Sequence, residues 1–313
     1  MLEAAGPRLT ALITQTEDRL TTVSSGHGAE LTAHAHSTLE AGGKRLRPIL
    51  VCLCAAPGDG PPVVSAAVAV ELLHMATLVH DDVLDRAALR RGHPTVYAQA
   101  GRRAATATGD FLFSRAFAEL AAESNPHSVA VLSEASSALA RGELMQRADA
   151  WRAVSQERYL ERCRLKTARL FEAACRLGAI SGGRPDAADA LGAFGAGIGL
   201  AFQLLDDVLD IEGPPERTGK PRGTDLLDGT VTLPLILAAQ WDPALDITAG
   251  RSGADAVAFT CDRVAATGAL AEVRRRALGF VSEAKGCLAD LDLGGGESRA
   301  LELVADGVVA RYA

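Results

Sequence analysis

One pentapeptide, DDVLD, occurs twice in this chain, at residues 81–85 and again at residues 206–210. The first copy follows the largely apolar stretch ELLHMATLVH, and the second follows LAFQLL. A helix that is apolar almost all round is buried, and at ~100° per residue its positions one and five lie about 40° apart on one face. Each copy therefore predicts a cluster of carboxylates at the end of a buried helix.

Carboxylates crowded at a helix C-terminus are unfavourable by themselves. They meet the negative end of the helix dipole, at ~0.3–1 kcal/mol each, and they repel one another. A cation must offset this charge, and hard oxygen ligands suit Mg²⁺, which usually binds one or two carboxylates together with phosphate oxygens. The clusters therefore predict metal–diphosphate sites. A solvated acidic helix end explains one isolated copy better than it explains two identical ones.

Basic residues lie beside both clusters, as a site for two diphosphates requires. Glycines allow close backbone approach to an oxyanion at a helix start, and arginine suits bidentate phosphate contacts. His74 lies seven residues before Asp81, about two turns back on the same helix face. The basic group comprises Lys44, Arg45 and Arg47 in GGKRLRP, Arg90 and Arg91 after the first cluster, Lys166 beside Thr167, and Lys220 after the second cluster.

Composition limits the function classes. A net charge of −7 argues against a nucleic-acid partner, which a basic face would attract. The six cysteines form no CxxC pair, which indicates reduced thiols. The N-terminus lacks a basic start leading into an apolar stretch, and no apolar run approaches the ~20 residues of a membrane span. We therefore expect a cytoplasmic protein with no transmembrane segment.

Strand patterns are nearly absent, whereas apolar residues at three- and four-residue spacing are frequent. The prediction is an all-α, single-domain bundle of roughly 12–13 helices, with one domain over residues 1–313, since no long polar linker divides the chain. The predicted helices are 8–24, 28–40, 45–56, 62–86, 94–99, 103–123, 127–147, 155–181, 186–210, 230–240, 253–267, 269–290 and 297–312.

Six ordered motifs over residues 38–240 resemble those of the trans-isoprenyl diphosphate synthases, the polyprenyl synthetase family. The resemblance implies a helical bundle around a central cavity, a homodimer, and three Mg²⁺ ions per active site. It also implies head-to-tail condensation of isopentenyl diphosphate with an allylic diphosphate. The motifs are GGKRLRP, HMATLVHDDVLDRAALRRGHPT, GDFLFSRAF, KTARLF, FQLLDDVLD and GKPRGTDLLDGTVTLPLI.

The resemblance also implies a role for each matching residue. Lysine is common in the family where this chain has Thr230, so one cation facing the allylic diphosphate is missing. The implied metal ligands are Asp81, Asp82, Asp85, Asp206, Asp207 and Asp210. The implied isopentenyl diphosphate contacts are Lys44, Arg47, His74 and Arg91, and the allylic contacts are Arg90, Lys166, Thr167, Gln203 and Lys220. The implied catalytic set is Asp81, Asp82, Asp85, Lys166, Asp206, Asp207 and Lys220.

Product length is expected to depend on the residues one turn before the first cluster, Ala76 and Thr77. Short-product members of the family usually carry an aromatic residue there, so Ala76 indicates a product longer than farnesyl. Phe113 or Phe117 on the next helix could still stop growth earlier, which leaves a geranylgeranyl or farnesyl diphosphate synthase as an alternative.

Three other classes fit less well. A terpene cyclase of the same helical type has one DDxxD motif and no GGKRLRP pocket. Head-to-head synthases have paired acidic motifs without GGKRLRP or GKPxGxD. A non-catalytic accessory subunit of a heteromeric synthase typically loses an aspartate cluster, whereas this chain keeps both.

Overall fold

The computed structural model describes residues 6–57, 60–213 and 221–310. Within these ranges, regular structure is helical except for one pair of two-residue strands. The predicted all-α class is therefore confirmed.

Among the described residues up to 212 lie nine α-helices and the strand pair. They are α1 Gly6–Val23, α2 Ala29–Glu40, α3 Leu46–Cys54, α4 Pro61–Asp85, β1 Leu89–Arg90, β2 His93–Pro94, α5 Val96–Ala122, α6 Pro126–Ala148, α7 Gln156–Cys163, α8 Arg169–Ser181 and α9 Ala188–Glu212. A π-helical turn, Arg164–Ala168, joins α7 to α8, and a 3₁₀ turn, Pro185–Ala187, precedes α9. Beyond α9 lie the helices Thr224–Leu227, Leu233–Trp241, Ala254–Ala266, Ala269–Gly286 and Gly295–Ala310, with a 3₁₀ turn at Ala249–Ser252.

Backbone packing divides the chain into two compact units. The first unit comprises Met1–Ser136, Leu170–Gly195 and Asp290–Leu301. The second comprises Ser137–Arg169, Ala196–Ala289 and Glu302–Ala313. The assignment of one domain to residues 1–313 stays a prediction.

Helix α4 is the core element of the first unit and carries the first DDVLD run at its C-terminus. Prolines at its first positions remove N–H groups that would have no partner in the first turn. Most of its residues are buried, and it packs against α1, α3 and α5. The helix ends because Arg86 adopts the left-handed conformation (φ 53°, ψ 37°), with its N–H bonded to the carbonyl of Asp82.

The segment RRGHP after α4 forms a tight hairpin, where the sequence had indicated only a break between helices. Arg90 pairs with His93 across the two strands. The turn residues Arg91 and Gly92 both have positive φ, at 52° and 80°. Two central residues with positive φ match the right-handed twist of a two-residue hairpin. The hairpin therefore holds two arginines directly beside the first acidic cluster.

Several predicted helix boundaries change in the structure. The segments 94–99 and 103–123 form one element, α5, with a kink at Gly101, where φ is 79° and ψ is 178°. The predicted helix 155–181 is interrupted by the π-helical turn between α7 and α8. The short helix Thr224–Leu227 was not predicted.

Two helices of the structure are both long and apolar. Pro61–Asp85 and Pro185–Glu212 meet the length and composition of a membrane span. The prediction that no apolar run approaches the length of a membrane span is therefore wrong for these two helices. Their apolar windows are 72% and 61% buried inside the protein, which is typical of core helices.

Candidate active site

The first acidic cluster lies at the last turn of α4, where one of its carboxylates is nearly enclosed. The side chain of Asp82 is 7% exposed, and Asp81 is half-buried. Arg90 from the hairpin places Nε and Nη2 each 2.8 Å from Oδ1 of Asp82. Burial raises the pKa of Asp82, and the hydrogen bond and charge of Arg90 act in the opposite direction. The hairpin thus supplies the cation that the buried carboxylate needs.

A pocket of the first unit brings together several residues expected from the sequence. His74 and Asp82 line it, whereas the sequence had placed His74 on one helix face with the neighbouring Asp81, and Arg90 and Arg91 face them. Burial, followed by the charges of the surrounding arginines, lowers the pKa of His74 well below its ordinary value. His74 is therefore neutral at physiological pH and offers a hydrogen bond among cations. Other lining residues include Ser37, Thr38, Arg45, Glu71 and Thr95.

The loop GGKRLRP enters α3 beside this pocket. The guanidinium of Arg47 lies 4.5 Å from the ring centroid of Phe171, a cation–π contact. Burial lowers the pKa of Arg47 to about 10, so it stays charged at neutral pH. Lys44 is exposed in the same loop. The two predicted isopentenyl diphosphate contacts of this loop therefore flank Arg45, which itself lines the pocket.

The second acidic cluster has different surroundings, in the second unit. Asp207 is 2% exposed, and both of its oxygens accept hydrogen bonds from uncharged groups. The hydroxyl of Tyr159 on α7 donates to Oδ2, and the amide of Gln203 donates to Oδ1 at 2.8 Å. Thr167 in turn donates to Oε1 of Gln203 at 2.7 Å. Burial, with the charge of Asp225 next, raises the pKa of Asp207 to about 8.

The other aspartates of the second cluster differ in exposure. Asp206 is half-buried. Asp210 is buried, and one of its oxygens accepts the backbone N–H of Asp225 at 3.2 Å, in the first turn of Thr224–Leu227. Asp206 is therefore the more accessible of the two paired aspartates in this copy.

The π-helical turn holds the predicted contacts Lys166 and Thr167. Such turns insert one residue into a helix and are frequent at functional sites. The ammonium of Lys166 lies 2.5 Å from Oε2 of Glu143, and Glu143 also accepts from Arg147 at 2.8 Å. A Cβ at Gly142 would lie 2.7 Å from the backbone nitrogen of Lys166, so α6 approaches this turn closely.

Chain-length candidates lie on α4 and α5. Ala76 is fully buried, so its methyl group faces the protein interior. Thr77 is half-buried and donates to the carbonyl of His74 at 2.7 Å. Phe113 is exposed, and its ring centroid lies 5.2 Å from that of Phe117.

The side chains of both clusters determine whether a metal ion fits. Within the described ranges, no group of three or more His, Cys, Asp or Glu side chains is arranged to enclose a metal ion. Magnesium does not require such an enclosure, because it usually keeps waters and phosphate oxygens beside one or two carboxylates. The half-buried Asp81 and Asp206 offer such oxygens, and a cation would offset the charge that burial makes unfavourable at Asp207. The donors therefore fit Mg²⁺ together with a diphosphate.

Three residues singled out in the sequence remain to be placed: Lys220, Thr230 and His80. Lys220 lies outside the described residues. Thr230, at the position of the family lysine, is half-buried, and its backbone N–H bonds the carbonyl of Asp225 at 2.7 Å. His80 packs against Gly109 and lies 3.3 Å from Asp110, a structural contact between α4 and α5.

Sequence reasoning missed the partners that hold the expected residues. Glu71 gave a usable signal, because a lone glutamate inside a buried apolar helix is almost always paired. Tyr159 and Glu143 gave little signal, because polar residues surround both in the sequence, although the structure buries Tyr159 fully and Glu143 largely. Arg45 cannot be distinguished from Lys44 and Arg47 by residue type, because only the contacts of its side chain in the folded protein set it apart.

The helical fold, with carboxylate clusters next to arginines and lysines, defines the class of all-α isoprenoid synthases. A family model for polyprenyl synthetase matches residues 29–251. Component 2 of the heptaprenyl diphosphate synthase of Geobacillus stearothermophilus is 46% identical over 220 residues, which are 69% of this chain and 68% of that protein. The geranylgeranyl diphosphate synthase of Methanosarcina mazei is 38% identical over 82% of each chain.

A crystal structure of a polyprenyl synthase from Caulobacter crescentus, complexed with calcium and isoprenyl diphosphate, gives a TM-score of 0.92 at 34% identity. That comparison covers 100% of this chain and 98% of the other. The chain belongs to the polyprenyl synthetase family. It is a prenyltransferase, a trans-polyprenyl diphosphate synthase.

Proposed function

We propose that this enzyme is magnesium-dependent and condenses isopentenyl diphosphate head to tail with an allylic diphosphate (geranyl, farnesyl or geranylgeranyl) to give a product longer than farnesyl. The observation that supports it most is the pocket of the first unit, where His74, Asp82, Arg90 and Arg91 converge. A pocket with two arginines and a neutral histidine beside a carboxylate cluster suits a diphosphate. The solved Caulobacter relative contains a divalent cation and an isoprenyl diphosphate, which supports the same chemistry here.

In this proposal the residues of the first unit bind and orient isopentenyl diphosphate. Lys44, Arg47 and Arg91 contact the diphosphate oxygens, and neutral His74 donates a hydrogen bond. Holding the double bond next to the allylic carbon makes the step effectively unimolecular.

The allylic diphosphate is the leaving group. In this proposal carboxylates of the two runs would hold three Mg²⁺ ions, and bound Mg²⁺ would supply Lewis-acid stabilisation for the departing diphosphate. These carboxylates are Asp81, Asp82, Asp85, Asp206, Asp207 and Asp210. The cations Arg90, Lys166 and Lys220 stabilise the same charge, with Thr167 and Gln203 as polar contacts. The allylic C–O bond breaks to give diphosphate and an allylic carbocation, and the double bond of isopentenyl diphosphate attacks that carbocation to form the new C–C bond. The resulting cation loses a proton to the released diphosphate, which restores a double bond. Thr230 in place of lysine is expected to slow ionisation without changing the reaction.

The experiment on product length uses purified protein with labelled isopentenyl diphosphate, farnesyl diphosphate and Mg²⁺. We expect a ladder of products that ends beyond fifteen carbons, and no turnover after chelation of the metal. A ladder that stops at fifteen carbons would reject the proposed length. Product formation unaffected by chelation would reject the metal dependence. A ladder that ends at twenty carbons would agree with a product longer than farnesyl and would identify the enzyme as a geranylgeranyl diphosphate synthase, for which the Methanosarcina relative is the supporting observation.

The residue proposed to set product length is Ala76. Because this side chain is fully buried, Ala76→Tyr should fill the space that a growing chain enters and shorten the product by at least one isoprene unit. Since overpacking costs ~1–3 kcal/mol, thermal unfolding is measured in parallel. Thr77→Phe provides a second variant at a half-buried position. Unchanged product length in both folded variants would place the floor elsewhere.

A second candidate concerns assembly. The Geobacillus relative is named as one component of its synthase, which favours a heteromeric partner as an alternative to the proposed cytoplasmic homodimer. Activity of the purified chain alone would support the homodimer. Activity that appears only after addition of a second protein would support the accessory partner instead.

A further inference from the structure

The pocket of the first unit contains one arginine whose side chain is directed into the protein. The guanidinium of Arg45 lies between three helices. Its Nε lies 2.6 Å from Oε1 of Glu17 on α1, and Nη1 lies 2.8 Å from Oε1 of Glu71 on α4. Its Nη2 donates to the carbonyl of Leu39 on α2 at 3.3 Å.

Burial makes these contacts strong restraints. The side chain of Arg45 is 13% exposed and that of Glu71 is 5% exposed, whereas Glu17 is 40% exposed. An ion pair shielded from water is screened less than one on the surface, and a carboxylate left unpaired there is costly. Arg45 and Glu71 therefore hold each other in fixed positions, and Glu17 adds an outer contact.

The backbone of Arg45 carries the restraint into the loop. Its φ and ψ are 47° and 33°, the left-handed conformation that residues other than glycine rarely adopt. Such a conformation persists only where the surroundings determine it. Arg45 is also the residue immediately before the first turn of α3. Its backbone conformation therefore sets the direction of the chain between Lys44, which precedes the helix, and Arg47, which lies in its first turn.

We propose that Arg45 is a positioning residue, which does not bind the diphosphate itself but fixes the loop that presents Lys44 and Arg47 to isopentenyl diphosphate. Glu71 is its buried anchor. This inference rests on the proposed function, because it assumes that the pocket takes isopentenyl diphosphate. It predicts that loss of Arg45 weakens one substrate selectively.

The measurement is calorimetric binding of isopentenyl diphosphate without an allylic substrate, so that no turnover occurs, followed by steady-state kinetics. Arg45→Gln should weaken binding by about tenfold or more and raise KM for isopentenyl diphosphate by a similar factor, since small misplacements of contact groups cost up to ~100-fold. The kcat and the KM for farnesyl diphosphate should stay within about twofold. Glu71→Gln should change the same constants in the same direction.

A second arginine–glutamate ion pair, formed by Arg19 on the same helix as Glu17, serves as a matched control. Arg19 on α1 lies 2.9 Å from Oε2 of the buried Glu119, two residues along from Glu17 and away from the loop. Arg19→Gln should lower thermal stability with binding unchanged. Arg91→Gln, which removes a pocket-lining arginine, serves as the positive control for the site itself.

The binding results distinguish failure of the proposed function from failure of the positioning role of Arg45. If the unmodified enzyme does not bind isopentenyl diphosphate, the proposed function of the pocket fails. If it binds and Arg91→Gln weakens binding while folded Arg45→Gln binds like the unmodified enzyme, only the positioning role is overturned. Should Arg45→Gln not fold, Glu17→Gln replaces it, because Glu17 lies toward solvent. A selective rise in KM for isopentenyl diphosphate would then support the inference, and an unchanged KM would reject it.

Discussion

The second aspartate is buried in both DDVLD runs, yet different groups satisfy the two carboxylates. Asp82 accepts two contacts from the charged guanidinium of Arg90. Asp207 accepts hydrogen bonds from the neutral side chains of Tyr159 and Gln203. Burial raises the pKa of both, to about 8 for Asp207.

Two pentapeptides of identical sequence therefore lie in different electrostatic environments. The first DDVLD run ends beside the hairpin, which supplies the guanidinium of Arg90. The second run lies beside α7, which supplies the phenol hydroxyl of Tyr159. A carboxylate with a cationic partner is already partly compensated, whereas one held by neutral donors depends more on a bound cation. We therefore expect the second site to respond more strongly to the metal and the first to respond more strongly to loss of an arginine.

The largest effect is expected from Arg90→Gln. This change leaves Asp82 buried without its cation and removes a proposed contact to the allylic diphosphate. The kcat/KM for the allylic substrate should fall ~10²–10³-fold, the range for loss of one strong electrostatic contact. Arg86→Gln, at the exposed end of the same helix, is the control and should change kcat/KM less than about twofold. Equal kcat/KM for the allylic substrate in the Arg90→Gln and Arg86→Gln variants would show that the first run does not depend on its arginine partner.

Tyr159→Phe tests the second run with a smaller expected effect. Removing one hydroxyl frees Oδ2 of Asp207 to rotate, so kcat should fall ~10-fold and the Mg²⁺ concentration for half-maximal rate should rise. The Arg90 variant should leave that Mg²⁺ concentration nearly unchanged. Tyr97→Phe, at a half-buried tyrosine of α5, is the matched control. A metal requirement that shifts in the Arg90 variant and not in the Tyr159 variant would reverse the comparison.

The smallest effect concerns stability of the metal-free protein against pH. The folded pKa of Asp207 is about 8, above its unfolded value of ~3.9, so the folded state keeps a proton that the unfolded state has lost. Stability should therefore fall as pH rises between those values, by up to about 1.4 kcal/mol per unit.

Denaturant unfolding of chelator-treated protein at several pH values measures this slope. Asp207→Asn should flatten it, and Asp82→Asn should flatten it less because Arg90 opposes the rise in the pKa of Asp82. A slope that Asp207→Asn leaves unchanged would show that Asp207 is ionised in the folded protein.

The sequence predicted the helical class and the polar positions of the pocket because both depend on local patterns. Helix spacing on α4 placed His74 on one face with Asp81, and the structure places His74 in a pocket with the neighbouring Asp82. It did not predict the hairpin at Arg90 or the π-helical turn at Lys166, because these depend on backbone strain that packing maintains. The partners of Arg45 and Asp207 come from helices distant in sequence, and no local pattern links them.

The central proposal is that each DDVLD run binds divalent metal together with diphosphate oxygens. Anomalous diffraction from crystals grown with Mn²⁺ and inorganic diphosphate tests it directly. We expect Mn²⁺ bound to carboxylates of both runs, with diphosphate oxygens completing the coordination. Mn²⁺ absent from both runs in crystals that contain inorganic diphosphate would contradict the claim.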